Sequence, residues 1–282
     1  SADGKNLKMD ARDTATYDPK IAGNSHYLKE RDGVYYFEND NGESFDSIEW
    51  DDKNSTVSGY YRPQFLNGNY NYTVLTKNLT INFAPDKIEE WSGTGKHSIT
   101  VAKDKHINLG TKANPINNIK MMGGLDCNDG TYDTDGTIIN VYADHFEANN
   151  FTTGISRWGN PIININAKKI HLSGNDINLH PRIKINQDED YKKGILQIDG
   201  RVYLYDDTLN SDPDDQNFTM NFYGKESYLN GSFLSSPGFH VNVSYTFDEG
   251  AKWTMRPDEA YSYVGNLNLL NSSVIDFNSA SD

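Results

Sequence analysis

The sequence predicts an all-β fold, a parallel β-helix (β-solenoid) with loop insertions. Helical patterns, with apolar residues three and four positions apart, are nearly absent from the 282 residues. A short alternating unit recurs instead, in which apolar residues flank one polar residue and a second apolar pair often follows. Asn, Asp, Gly, Ser and Thr, which disfavour helix interiors, fill the positions between the units.

The central part, residues 76–249, carries the clearest repeat. Copies in residues 76–282 begin at positions 79, 99, 138, 163, 195, 218, 241 and 267, so most intervals lie in the twenties. A period of that size is typical of a solenoid. No unit is large enough to bury its apolar side alone, but coils stacked about 4.8 Å apart bury each other and pair their backbones. The longest interval, from 99 to 138, leaves room for an insertion at 110–137, and a second insertion is predicted at 205–217.

The polar side of each unit should face water. In one copy, Ile163 and Ile165 should point inward, while Asn164 and Asn166 point outward. Asn then either forms a ladder of side chains along the stack or simply suits turns and solvated strands. It recurs at Asn82, Asn140, Asn164, Asn221, Asn242 and Asn268.

The N-terminal part, residues 1–75, fits the repeat poorly. Val34–Phe37 and Gly59–Tyr61 have strand composition, separated by turn residues such as Asn39–Gly42. We predict either irregular first coils or a cap, because the open end of a solenoid exposes strand edges that need a cover.

Composition limits the partners. The net charge is −14, and the longest basic clusters are the pairs Lys168-Lys169 and Lys192-Lys193, which argues against nucleic acid and anionic membrane surfaces. One cysteine, Cys127, excludes an internal disulfide. No apolar run approaches the ~20 residues of a membrane-spanning helix, so we expect no membrane insertion.

The C-terminal part, residues 250–282, carries three short motifs. They are Ala251–Met255 with a Trp, Ser262–Leu269 with Val-x-x-Leu-x-Leu, and the Asn-rich stretch Asn271–Phe277. This succession resembles the passenger region of Gram-negative type V autotransporters. The resemblance is good over about residues 250–278 and weaker over the repeat from residue 79.

The resemblance implies a right-handed β-helix exposed at the cell surface, anchored to the outer membrane or secreted. It also implies that residues 250–282 form autochaperone-like coils, which help the helix to fold outside the cell. Family members without a catalytic motif are mostly adhesins that act in host attachment, bacterial aggregation or biofilm formation. The sequence lacks the family's C-terminal translocator barrel, so the resemblance makes it a fragment.

Exposed tyrosines are the main candidates for ligand binding. If Val202 and Leu204 point inward, Tyr203 and Tyr205 point outward beside Arg201. Tyr60 and Tyr61 place at least one ring outward in the same way. Such rings suit sugars and protein partners, although they also pack across strands on a sheet face.

A possible calcium loop lies between residues 126 and 136. Carboxylates at Asp126, Asp129, Asp133 and Asp135 could supply several of the oxygens that Ca²⁺ requires, but the spacing of an EF-hand fails, and a solvated acidic turn is the alternative. No other cofactor is expected.

Catalytic motifs are lacking. The sequence has no Gly-Asp-Ser-Gly and no zinc-binding HExxH, and its seven histidines are scattered. We therefore expect a non-catalytic adhesin that binds host or bacterial surface proteins or glycans, with self-association open. A polysaccharide lyase or glycosidase and a purely structural stalk are the alternatives, because one fold hosts all three.

Overall fold

The computed structural model describes part of the chain, and all of its regular elements are strands. The described residues are 7–9, 27–31, 34–38, 44–51, 56–59, 72–74, 78–83, 98–100, 103–127, 136–155, 161–180, 182–204, 217–235, 242–256, 262 and 264–277. Among them, no helix is long and apolar enough to cross a membrane.

The described residues contain twenty-three strands. They are β1 (Leu7–Met9), β2 (Tyr27–Arg31), β3 (Val34–Glu38), β4 (Ser44–Asp51), β5 (Thr56–Gly59), β6 (Tyr72–Val74), β7 (Asn78–Phe83), β8 (Ser98–Thr100), β9 (His106–Leu109), β10 (Ile116–Met122), β11 (Gly124–Cys127), β12 (Ile138–Asn149), β13 (Thr153–Ile155), β14 (Ile162–Leu179), β15 (Ile183–Ile185), β16 (Ile195–Leu204), β17 (Asn217–Tyr223), β18 (Tyr228–Asn230), β19 (Phe233–Ser235), β20 (Asn242–Asp248), β21 (Lys252–Thr254), β22 (Asn266–Leu269) and β23 (Val274–Asp276).

The strands from β5 onward pair in parallel and stack into a β-solenoid, which confirms the predicted fold class. Each coil has three sides. The first stack contains β6, β9, the start of β12 and β14, and β15, followed by the separately paired β17, β20 and β22. The second stack contains β7, β10, the later part of β12, the middle of β14, the start of β16, β18, β21 and β23. The third stack contains β8, β11 and β13, and then the ends of β14 and β16 with β19.

The register is continuous where the coils are best matched. β12 and β14 pair from Ile138 opposite Ile162 to Asn149 opposite Ser173, across the bend between the first and second stacks. Because parallel strands in register place equivalent residues over each other, apolar positions form rows along the axis. The right hand of the helix stays a prediction.

The N-terminal strands pair differently. β2, β3, β4 and β5 form antiparallel pairs, and β1 lies antiparallel to β6, whereas β5 continues in parallel onto β7. The division of the chain at residues 75 and 249 stays a prediction.

The structure corrects two points of the repeat. Residues 110–137 were expected to be an insertion, but β10 and β11 lie within them and belong to the second and third stacks. The copies at 79, 99 and 195 also lie on other sides of the coil than those at 138 and 163. All three sides share the alternating pattern, so periodicity alone does not tell them apart.

The core changes character along the axis. Between Ile107 and Leu204 it consists mainly of Ile, Leu, Val and Ala side chains with no more than a few per cent exposed. Beyond residue 217 aromatic rings replace them. The ring of Phe233 stacks on Tyr245 at 3.6 Å between centroids, and Phe222 stacks on Phe247 at 4.4 Å. Trp253 packs edge-on against Phe233 and donates its indole N–H to the Gly231 carbonyl at 2.9 Å.

Asparagines form a ladder on the outside of the first stack. Asn164 Nδ2 donates to Asn140 Oδ1 at 2.8 Å, Asn140 Nδ2 donates to Asn108 Oδ1 at 3.0 Å, and Asn108 Nδ2 donates to Thr73 Oγ1 at 3.1 Å. Of the two alternatives for the recurring asparagines, the ladder is therefore the one observed at Asn140 and Asn164. Further along, Asn268 bonds to Thr246 instead, so the ladder is local.

Two stacked glycines allow the sharp bend between the second and third stacks. Gly200 and Gly231 have φ values of 147° and 157°, which disfavour other residues. A Cβ on Gly200 would lie 2.0 Å from the Gly174 carbonyl oxygen, and a Cβ on Gly231 would lie 1.9 Å from that of Gly200. Glycine is required at this bend because the backbones of neighbouring coils approach too closely for any side chain.

We expect Gly200→Ala to destabilise the fold strongly, since its new methyl group collides with backbone. Gly224→Ala is the matched control, because Gly224 also has a positive φ, 87°, but nothing lies within 4 Å of its Cβ position. The free energy of unfolding from denaturant titration should fall by at least about 2 kcal/mol more for Gly200→Ala. Equal losses for the two variants would contradict the role of the close approach.

We expect Asn140→Ala to lower the free energy of unfolding by about 1–3 kcal/mol, because it removes both ladder hydrogen bonds of that residue. Asn268→Ala, which removes one exposed contact, should cost less than about 0.5 kcal/mol. Denaturant titration of both variants measures the difference. If the two losses are the same, the ladder contributes nothing to stability.

Candidate functional site

The outer side of the second stack presents two parallel rows of polar side chains. Alternation along each strand turns Leu172, Ile198 and Leu229 into the core, which leaves the neighbouring positions facing outward. The His171 row consists of Lys120, Glu147, His171, Gln197, Tyr228 and Lys252. The Asp199 row consists of Asn149, Ser173, Asp199, Asn230, Thr254 and Asp276.

A four-residue cluster, named here the Asp199 cluster, lies at the centre of these rows. His171 Nε2 lies 3.0 Å from Asp199 Oδ2, and the Tyr228 hydroxyl donates to the same oxygen at 2.8 Å. Asn230 Nδ2 donates to Asp199 Oδ1 at 3.1 Å. Residues from three successive coils therefore meet at one half-buried carboxylate.

The cluster holds Asp199 as an anion. Burial alone raises the pKa of Asp199, but the hydrogen bonds from His171, Tyr228 and Asn230 outweigh it, so the pKa lies below its ordinary value. Burial and the bond to Asp199 raise the pKa of Tyr228 to about 12, which keeps its hydroxyl a donor at neutral pH. Asp199 is suited to accept hydrogen bonds, whereas a catalytic acid needs a raised pKa.

Ion pairs flank the cluster on the same side of the solenoid. Lys120 Nζ lies 3.7 Å from Glu147, and Lys252 Nζ lies 3.0 Å from Asp276. Each pair joins neighbouring coils and is largely exposed, so it adds little stability but fixes where the charges lie.

The predicted tyrosine site is only partly described. Val202 and Leu204 are buried as predicted, and Tyr203 and Arg201 are half-buried on the outer side of the third stack. Arg201 is paired with Asp176 at 2.5 Å, a partner that sequence reasoning did not identify. Tyr205, Tyr60 and Tyr61 lie outside the described residues, so binding by these five residues stays a prediction.

The predicted calcium loop falls mostly outside the described residues, which include none of Asp129, Asp133 and Asp135. Asp126 belongs to β11, where its backbone lies between Thr100 and Gly154. Within the part of the chain that the structure describes, no group of three or more His, Cys, Asp or Glu side chains is arranged to hold a metal ion.

A second charged group anchors the segment that follows β15. Lys112 Nζ lies 2.7 Å from Asp188 and 2.8 Å from Asp190, and these hydrogen bonds raise the pKa of Lys112. Asn166 was predicted to face water, but it is 4% exposed and accepts the Asp188 N–H at 3.2 Å. The turn covers Asn166, so this group has a structural role.

Sequence reasoning missed the Asp199 cluster. Its members lie up to 59 positions apart in the sequence, and only the register between coils brings them together. A signal was present in the alternating positions of His171 and Asp199 on their strands. Using it requires knowing which strands are neighbours.

We expect acid to remove part of the wild-type stability through Asp199. Its folded pKa lies below the ordinary 3.8, so its contribution is present above that value and is lost as the pH falls through the folded pKa. Asp199→Asn should be less stable at pH 7 and should lose less on acidification. Tyr228→Phe, which removes one of three donors, should lie between them. Urea titrations from pH 7 to pH 2 measure this, and parallel curves for all three proteins would refute it.

Protein-family models, curated proteins and solved structures all give no match to this chain. Its fold is therefore established by the structure itself, as a parallel β-solenoid.

Proposed function

We propose that this chain is a non-catalytic passenger segment of a cell-surface autotransporter adhesin, which attaches to host or bacterial partners through the outer side of the second stack. The parallel β-solenoid is compatible with such a passenger. The three C-terminal motifs that resemble the family coincide with β21, β22 and β23, which end the described parts of the first and second stacks.

The observation that carries the proposal is the ordered polar surface of the second stack. Hydrogen bonds and ion pairs within its two rows join successive coils, from Lys120 and Glu147 to Lys252 and Asp276. A surface that is already ordered loses little side-chain entropy when a partner binds. Repetition along the axis lets many weak contacts add together.

The acidity of the chain bears on the choice of partner. With a net charge of −14, long-range repulsion disfavours strongly anionic partners unless a local basic patch compensates. Surface proteins and glycans of host or bacterial cells remain the proposed partners, with exposure outside the cell as the proposed location.

We expect the purified chain to attach to host epithelial or bacterial cells, or to a matrix-protein or glycan panel. Gln197→Arg, which places a bulky cation between His171 and Tyr228, should weaken attachment at least about tenfold, or ~1.4 kcal/mol. Thr219→Arg is the matched control, since Thr219 points outward from the first stack. Flow cytometry with labelled protein measures attachment.

Two results would overturn the proposal. One is the absence of attachment to every cell type and panel by the folded chain. The other is an equal effect of the two arginine variants, which would separate attachment from the second stack. Circular dichroism of both variants ensures that the comparison is between folded proteins.

A further inference from the structure

The other three side chains of the Asp199 cluster each point a donor at the Asp199 carboxylate. His171, Tyr228 and Asn230 direct their N–H or O–H groups to the two oxygens of Asp199. Gln197, which lies between His171 and Tyr228 in its row, donates its amide to the Glu226 carbonyl at 2.9 Å. Each of these four side chains therefore uses one donor within the protein, and Asn230 and Gln197 each retain a second amide N–H.

What these side chains offer to a ligand is therefore a set of acceptors with two amide N–H groups beside them. Asn230 and Gln197 each keep an amide oxygen and one N–H. Asp199 is ionised and has a side chain that is 31% exposed, so it adds a charged acceptor at the centre. A complementary ligand must supply hydrogen-bond donors to these oxygens, and ligand groups that also accept can bond to the two amide N–H groups.

Local charge excludes one group of ligands. The cations in the His171 row, Lys120 and Lys252, are each paired with a carboxylate, and Asp199 itself is negative. A carboxylated, sulfated or phosphorylated ligand would be placed against an anion and unfilled acceptors. Hydroxyl groups donate to such acceptors without bringing a charge, and the half-buried ring of Tyr228 provides an apolar surface beside them.

We propose that the Asp199 cluster is a binding site for a neutral, hydroxyl-rich glycan. The proposal rests on the proposed adhesin function and names the class of ligand for the same face. The cluster spans three coils, or roughly 10 Å along the axis at about 4.8 Å per coil, so it takes a short oligosaccharide stretch. Asp199 accepts from ring hydroxyls, with Asn230 and Gln197 accepting beside it.

The experiment is a glycan array with the whole 282-residue chain, in which neutral glycans are compared with sialylated and sulfated forms of the same sequences. A neutral glycan that binds is then titrated by calorimetry against Asp199→Asn and Asn230→Ala. Asp199→Asn replaces a charged acceptor by an amide of the same shape, and we expect at least about tenfold weaker binding. Asn230→Ala should also weaken binding.

Asp248→Asn is the matched control. Asp248 is an outward carboxylate on the first stack that accepts a hydrogen bond from Asn271 at 2.7 Å, so the control repeats the chemical change away from the site. Its affinity should equal that of the wild type. Thermal unfolding of each variant identifies any loss that comes from misfolding, and Asn230→Ala keeps the test valid if Asp199→Asn does not fold.

The outcomes separate the two proposals. Preferred binding of anionic glycans, or equal affinity for wild type and both cluster variants, overturns the glycan site. Attachment to cells without binding to any glycan also overturns the glycan site but leaves the adhesin function standing. Absence of both attachment and glycan binding overturns both proposals.

Discussion

The structure depends on one constraint, the in-register parallel pairing of each coil with the next. Pairing in register places apolar residues over apolar residues, so that no coil buries its core without a neighbour. It also places the bends over each other, and at Gly200 and Gly231 the backbones approach too closely for a side chain. The Asn108–Asn140–Asn164 ladder has the same cause, since identical side chains one coil apart lie at hydrogen-bonding distance.

The same constraint determines what the surface can do. A row on the outside takes one residue from each coil, so residues far apart in the sequence become neighbours at a fixed spacing. His171, Asp199 and Tyr228 come from three successive coils, and their hydrogen bonds order the outer side of the second stack. The backbone beneath determines where these side chains lie, because the buried Leu172, Ile198 and Leu229 fix which residues of each strand face outward.

The sequence contained the fold class but not the arrangement of its parts. Alternation in Ile163–Asn164–Ile165 predicted the buried and outward positions correctly, because period-two patterning reports burial directly. It did not tell the three sides apart, and so β10 and β11 were mistaken for an insertion. Asp32-Gly33, which favours a two-residue hairpin turn, stands between the antiparallel β2 and β3 and was overlooked. Predicting the Asp199 cluster requires the register between coils, which short polar sequence motifs do not specify.

The change of core from aliphatic to aromatic gives the two ends of the solenoid different optical properties. Trp253 lies buried, with its ring stacked nearly parallel to Phe247 at 6.0 Å between centroids and edge-on to Phe233, and its N–H is bonded to a carbonyl. Rigid, asymmetric surroundings of this kind produce near-ultraviolet circular dichroism, to which the Ile and Val coils add through the ring pairs Tyr142–Tyr191 and Phe146–Phe151. Replacing Trp50, Trp91 and Trp158 would leave Trp253 as the one indole of the chain, and its signal would then report the order of the C-terminal coils.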